Sequence, residues 1–148
     1  MELSRHSFSY EPLGESGIRL ITLKPSEEFT SDLHCDISNW NLSSNPQYEA
    51  VSYTWGASMG GLPIYLDRKK FYITRNLESA LRHLRQSDRP RVLWVDAICI
   101  NQKDLQERSQ QVSIMGTIYN EAQNILFWLG QNGQLSEATM KVLTYPFN

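Results

Sequence analysis

The stretch Val92-Leu-Trp-Val-Asp-Ala-Ile-Cys-Ile100 is nearly continuously apolar, with a single carboxylate, Asp96, set inside it. Bounded by helical patterns, such a run predicts a strand covered on both faces, the central strand of a parallel sheet. Two further runs fit beside it. Tyr48-Glu-Ala-Val-Ser-Tyr-Thr-Trp55 is β-branched and aromatic and is halted by Gly56, and Asn124-Ile-Leu-Phe-Trp-Leu129 is closed by Gly130. Between these runs the period changes to helical. Leu77, Ala80, Leu81 and Leu84 fall at i, i+3, i+4 and i+7 behind an N-cap at Thr74 or Asn76, and Pro90 stops that helix near Ser87-Asp88. Over residues 104–122, Leu105, Val112, Met115, Ile118, Tyr119 and Ala122 form a second stripe, and Ser136 caps the start of a third helix.

The remaining segments are shorter. Ile18-Arg-Leu-Ile-Thr-Leu23 reads as a strand ended by Lys24-Pro25, and Leu33-His-Cys-Asp-Ile37 as another. Residues 38–46 are rich in Ser and Asn and read as a loop pinned to the core by Trp40 and Leu42. Pro63-Ile-Tyr-Leu-Asp67 and Phe71-Tyr-Ile-Thr74 read as the arms of a hairpin turning at Arg68-Lys-Lys70. From Tyr48 onward the order is strand, hairpin, helix, strand, helix, strand, helix. This alternation predicts an α/β fold: a three-layer core with a mostly parallel sheet, N-terminal strands and a β-hairpin insertion.

Length and composition bound the answer. The 148 residues, 41% hydrophobic and 20% charged, suit one domain over residues 1–148, large enough to build a core without a metal or disulfide staple. Cys35 and Cys99 form no C-x-x-C pair, and His6, His34 and His83 have no ligand spacing, which argues against a zinc module or any bound metal. The N-terminus carries no signal-peptide pattern, and no run approaches the ~18 apolar residues that span a bilayer. A cytoplasmic protein with free thiols and no membrane association is expected. The net charge of −2 hides a basic segment: residues 67–91 hold eight basic against three acidic side chains, a net of +5. Such a segment is either a solvated face or a surface for an anionic partner such as a nucleotide. Nucleic acid is not expected, because the whole chain is mildly acidic and carries no groove-reading motif.

Ligands of α/β sheets sit beyond the carboxyl ends of the strands, here Trp55-Gly56, Asn101-Gln-Lys-Asp104 and Gly130-Gln-Asn-Gly133. The candidate binding residues follow. Trp55 offers a ring for stacking, Gly56 allows close backbone approach, and the Asn101 and Gln102 amides lie at the mouth of the central strand. The candidate catalytic carboxylates are Asp96, Glu107 and Glu137. Each also has a plain structural role open to it: Asp96 as a loop-fixing carboxylate, Glu107 and Glu137 as first-turn helix acids. No phosphate-binding loop, nucleophile elbow or dinucleotide fingerprint is present, which removes P-loop nucleotidases, serine hydrolases and Rossmann dehydrogenases.

Five blocks in fixed order, Tyr48 to Gly56, Thr74 to Arg85, Leu93 to Gln102, Glu107-Arg-Ser-x-Gln-Val112 through Tyr119, and Phe127-Trp-Leu-Gly130, resemble the heterokaryon-incompatibility (HET) domain of filamentous fungi. The resemblance covers about residues 18–130, and it marks 131–148 as the start of a further helix in a domain cut short. It implies a cytosolic signalling domain whose activation triggers cell death after non-self recognition. It also implies a distant, TIR-like and flavodoxin-like core. By that resemblance Glu137 falls on the stretch that carries the catalytic glutamate of TIR enzymes, with NAD or a related nucleotide as substrate and no required cofactor. The implied partners are further copies on activation, other signalling proteins or appended sensor domains. The contrasting expectation is a non-enzymatic module that self-assembles or acts as an adaptor.

Overall fold

In the computed structural model, which describes residues 7–53, 61–131 and 138–144, eight strands form one mixed sheet. The strands are β1 (Gly17–Leu23), β2 (His34–Asn41), β3 (Glu49–Tyr53), β4 (Leu62–Leu66), β5 (Lys69–Ile73), β6 (Arg91–Trp94), β7 (Asn124–Gln131) and β8 (Ala138–Thr144). Their order across the sheet is β5-β4-β2-β1-β6-β3-β7-β8. The expected parallel trio is present as β6-β3-β7, with Ala50 level with Trp94 on one side and Ile125 on the other. Antiparallel pairs flank it, β1 against β6 and β8 against β7.

The helices are α1 (Arg75–Leu84), a single turn α2 (Asp96–Cys99), α3 (Leu105–Ser113) and α4 (Met115–Glu121). Trp94 aligns with Ala50 and Trp128 with Tyr53, so the two indoles point to opposite faces of the sheet. On the Trp128 side lies α1, whose Asn76 accepts from the indole N–H at 2.8 Å. On the other side lies α4, where Trp94 meets Tyr119 edge-on and the Tyr48 hydroxyl donates to the Ile118 carbonyl. Three layers result, with β1 at the centre of the sheet, its first five residues all buried. No helix among the described residues is long and apolar enough to cross a membrane.

The structure departs from the sequence reading in several places. The central run leaves the sheet after Trp94, and residues 96–99 form α2 instead of prolonging the strand. Val95, Ile98 and Cys99 are spaced i, i+3, i+4, and a short buried run cannot by itself separate strand from helix. The turn places Asp96 at a helical N-terminus rather than inside a sheet. Residues 38–41 are strand, not loop, because their backbone pairs with Gly17 to Leu20; Leu42 packs on the core, but Trp40 is exposed. The hairpin turns on Asp67 and Arg68, both at positive φ (51° and 67°), as the tight type I′ turn requires. The long helix over 104–122 is broken at Ile114. Finally, residues 138–144 are a strand paired with β7, where a helix behind Ser136 is expected from the sequence. Ser136, Glu137, Trp55 and Gly56 lie outside the described residues.

Candidate functional site

The carboxyl ends of β3 and β6 bring three ionisable side chains together. Asp96 begins α2 two residues past the end of β6, and Tyr53 ends the neighbouring β3. The Tyr53 phenol lies close enough to the Asp96 carboxylate to feel its charge. Burial, reinforced by the Asp96 charge, raises the Tyr53 hydroxyl far above the usual tyrosine range. From α4, Tyr119 brings its hydroxyl to 3.5 Å from the Val51 carbonyl and next to the Ser52 hydroxyl. Burial first and the Asp96 carboxylate second push its pKa up to about 12. Both phenols therefore stay protonated at neutral pH, beside one half-buried carboxylate.

The loop that follows is tied down by its own amides. Gln102 Nε2 donates to the backbone carbonyls of Asp96 (3.0 Å) and Ile100 (3.4 Å), and Asn101 Oδ1 accepts from the Lys103 N–H at 3.2 Å. Asp104 then caps α3, its Oδ1 accepting from the Glu107 N–H at 3.1 Å. In a capping box the third helical residue would return to the cap N–H. Here the Glu107 carboxylate instead accepts from the Asn101 N–H at 2.7 Å and from both terminal nitrogens of Arg19, at 2.6 and 2.8 Å.

Arg19 is the residue the sequence reading passed over. It is 1% exposed in the middle of an apolar strand, and it also donates to the carbonyls of Cys99 (3.0 Å) and Glu11 (2.9 Å). Its guanidinium lies over the Tyr10 ring, 4.5 Å from the centroid, and the Tyr10 hydroxyl donates to the Ile98 carbonyl at 2.7 Å. One ion pair thus locks β1, α2, α3 and the segment before β1 around the end of β6. The available signal was the charge itself: arginine flanked by Ile18, Leu20 and Ile21 needs a buried partner.

Of the seven residues singled out from sequence, the structure groups Asp96, Asn101, Gln102 and Glu107 within one turn-and-loop. It does not point them at one space. Glu107 faces Arg19, while Asp96 faces the tyrosines. Three of the eight basic side chains in residues 67–91 are spent on structure as well. Arg82 bonds Glu78 and the carbonyls of Phe29 and Ser31, Arg85 bonds the carbonyls of Glu28, Phe29 and Asp32, and Arg91 pairs with Glu49. These arginines fasten the 28–32 loop and the start of β6.

Sheet order, the strand-end cluster and the buried arginine clamp define a three-layer α/β domain with its polar centre at the carboxyl ends of the parallel strands. Residues 48–146 match the family described as Heterokaryon incompatibility protein (HET), and the chain belongs to that family. Heterokaryon incompatibility protein 6, OR allele, of Neurospora crassa is 37% identical to it over 153 aligned positions, covering 92% of this chain and 22% of that protein. The chain therefore spans about a fifth of the length of this curated relative. No solved structure matches the chain.

Proposed function

We propose that this domain is a cell-death-inducing signalling domain of fungal non-self recognition, acting in the cytoplasm by binding and hydrolysing a nucleotide such as NAD. Family membership and the relative's name support the biological role. The observation that supports a nucleotide site is the Asp96–Tyr53–Tyr119 cluster at the ends of two adjacent parallel strands, where α/β sheets take ligands. In this reading Trp55 stacks on the base with Gly56 allowing close approach, and Asn101 and Gln102 order the loop that meets ribose or phosphate. Asp96 stabilises positive charge growing on the ribose as the N-glycosidic bond breaks, and Glu137 holds the ribose hydroxyls. Nicotinamide leaves with the pair of the broken N-glycosidic bond, and water adds at the ribose carbon, losing its proton to solvent. Glu107, committed to Arg19, positions the loop and touches no substrate.

A second reading rests on α3. That helix buries Glu107 and Gln111 and exposes Leu105 (73%) and Val112 (55%) on one side. An exposed apolar pair at i and i+7 favours a module that assembles with itself or with other signalling proteins or sensor domains, without catalysis. Incubating the oligomerised protein with NAD separates the two. Loss of NAD with wild type and its abolition in Asp96→Asn support the enzyme; unchanged NAD sinks it. Turnover that survives Glu137→Ala removes the glutamate from the mechanism and leaves the activity standing.

A further inference from the structure

A helix of a single turn does not hold itself, because its nucleation cost is met by few backbone bonds and its last carbonyls have no partner inside it. The turn α2 closes on its own start, with the Cys99 N–H donating to the Val95 carbonyl at 2.7 Å and the Ile100 N–H to the Asp96 carbonyl at 3.2 Å. Side chains from elsewhere supply the remaining donors. Gln102 meets the Asp96 and Ile100 carbonyls, Arg19 meets Cys99, and the Tyr10 hydroxyl meets Ile98 at 2.7 Å. Tyr10 reaches in from the segment before β1, outside the family-matched residues 48–146. Its ring is fixed independently of that bond. It stands edge-on to Phe8 and Phe71, with centroids 4.9 and 6.3 Å away, and lies under the Arg19 guanidinium. Asp96 opens this turn, so the seating of α2 sets where its carboxylate lies, beside Tyr53 and Tyr119.

We propose that Tyr10 is a positioning residue of the strand-end site: its hydroxyl holds the Ile98 carbonyl and thereby seats α2 with the Asp96 carboxylate beside Tyr53 and Tyr119. Tyr10 touches no ligand and acts through Asp96. The placement stands on the contacts alone, while its use in breaking an N-glycosidic bond rests on the nucleotide reading above.

Tyr10→Phe removes the hydroxyl and keeps the ring packing, so the fold is retained. The whole chain, with its tyrosines isotope-labelled at ring Cζ, is read by NMR at neutral pH. Asp96→Asn removes the charge beside both phenols and so defines the direction in which the Tyr53 and Tyr119 signals move when the carboxylate is lost. In Tyr10→Phe both signals are expected to move part of the way in that direction, while those of Tyr48 and Tyr65 stay in place. Tyr53 and Tyr119 signals at their wild-type positions would overturn the proposal, as would equal shifts at Tyr48 and Tyr65, the mark of general loosening. NAD turnover tests the use of the placed carboxylate. Asp96 acts on charge that grows as the bond breaks, so Tyr10→Phe is expected to lower kcat roughly three- to tenfold, the scale of one hydrogen bond, with KM unchanged. A raised KM with unchanged kcat would count against positioning. Absence of NAD turnover in the wild type sinks the nucleotide reading alone, since the tyrosine signals decide the placement.

Discussion

Replacing Glu107 with glutamine tests whether the Arg19 clamp holds the domain together. The substitution keeps the shape and one acceptor oxygen. It removes the charge that answers a guanidinium 1% exposed and spoils two charge-assisted contacts, at 2.6 and 2.8 Å. Breaking a buried pair from one side typically costs ~3–5 kcal/mol, because the surviving charge stays buried without its counter-charge. The retained amide oxygen and the carbonyls of Cys99 and Glu11, still bonded to Arg19, place this case at the lower end, about 3 kcal/mol. For a chain of this size that is a fall in Tm of roughly 6–12 °C. Chemical denaturation and a thermal melt both read it. The reasoning also fixes the double variant: Arg19→Met with Glu107→Leu removes both charges together. It is expected to be more stable than the sum of its single changes by at least about 2 kcal/mol. A loss below about 1 kcal/mol for Glu107→Gln, or strict additivity in the cycle, would refute the clamp.

Alkaline pH offers an independent check. Burial pushes the Cys35 and Cys99 thiols from 9.0 up to about 12, so the folded state keeps protons that the unfolded chain releases. Their contribution is complete below pH 9 and is lost as pH rises toward 12, at roughly 1.4 kcal/mol per pH unit for each thiol. Urea midpoints in reducing buffer should fall over that range, less steeply in Cys35→Ala; equal slopes in the two proteins would contradict it. At the β4–β5 turn, Arg68→Gly relieves a side chain held at positive φ, next to Asp67, whose carboxylate must stay to accept the Ile37 N–H at 3.0 Å. A gain of about 0.5–1 kcal/mol in denaturation is expected, and a loss would show the arginine has another task. Deleting residues 1–47 removes β1 and β2 from inside the sheet. The remainder should show no cooperative melt, and a sharp transition would show that the family-matched span folds alone.

Much of this fold is legible in the sequence. The parallel trio, the α1 helix with its Thr74 cap and the strand ended by Lys24-Pro25 all declare themselves by period and punctuation. What escaped did so for physical reasons. Residues 97–99 continue the apolar run begun at Val92, and so short an apolar stretch reads alike as strand or helix. Residues 38–41 are mostly polar because this end of β2 is exposed on both sides, and only pairing with β1 makes them a strand. The site was half visible: Asp96 stood out as a charge in an apolar run, whereas Tyr53 and Tyr119 look like ordinary core aromatics until topology places them around it. Leu105 and Val112 belong to one stripe on paper, but the break at Ile114 turns α3 so that Glu107 and Gln111 face inward.

The position of β1 and β2 also sets the order of events as the chain is made. These two strands are synthesised first, yet both outer edges of the ribbon they form are filled later, by β4 on one side and β6 on the other. Until β4 has emerged the ribbon carries two unpaired edges, and until residues past 91 have emerged it still carries one, a state open to pairing with the wrong strand. Final closure joins segments 68 or more residues apart, since Leu23 ends opposite Arg91. Completing the sheet is therefore slow and late. A domain built this way completes the middle of its sheet only after more than half of the chain has been made.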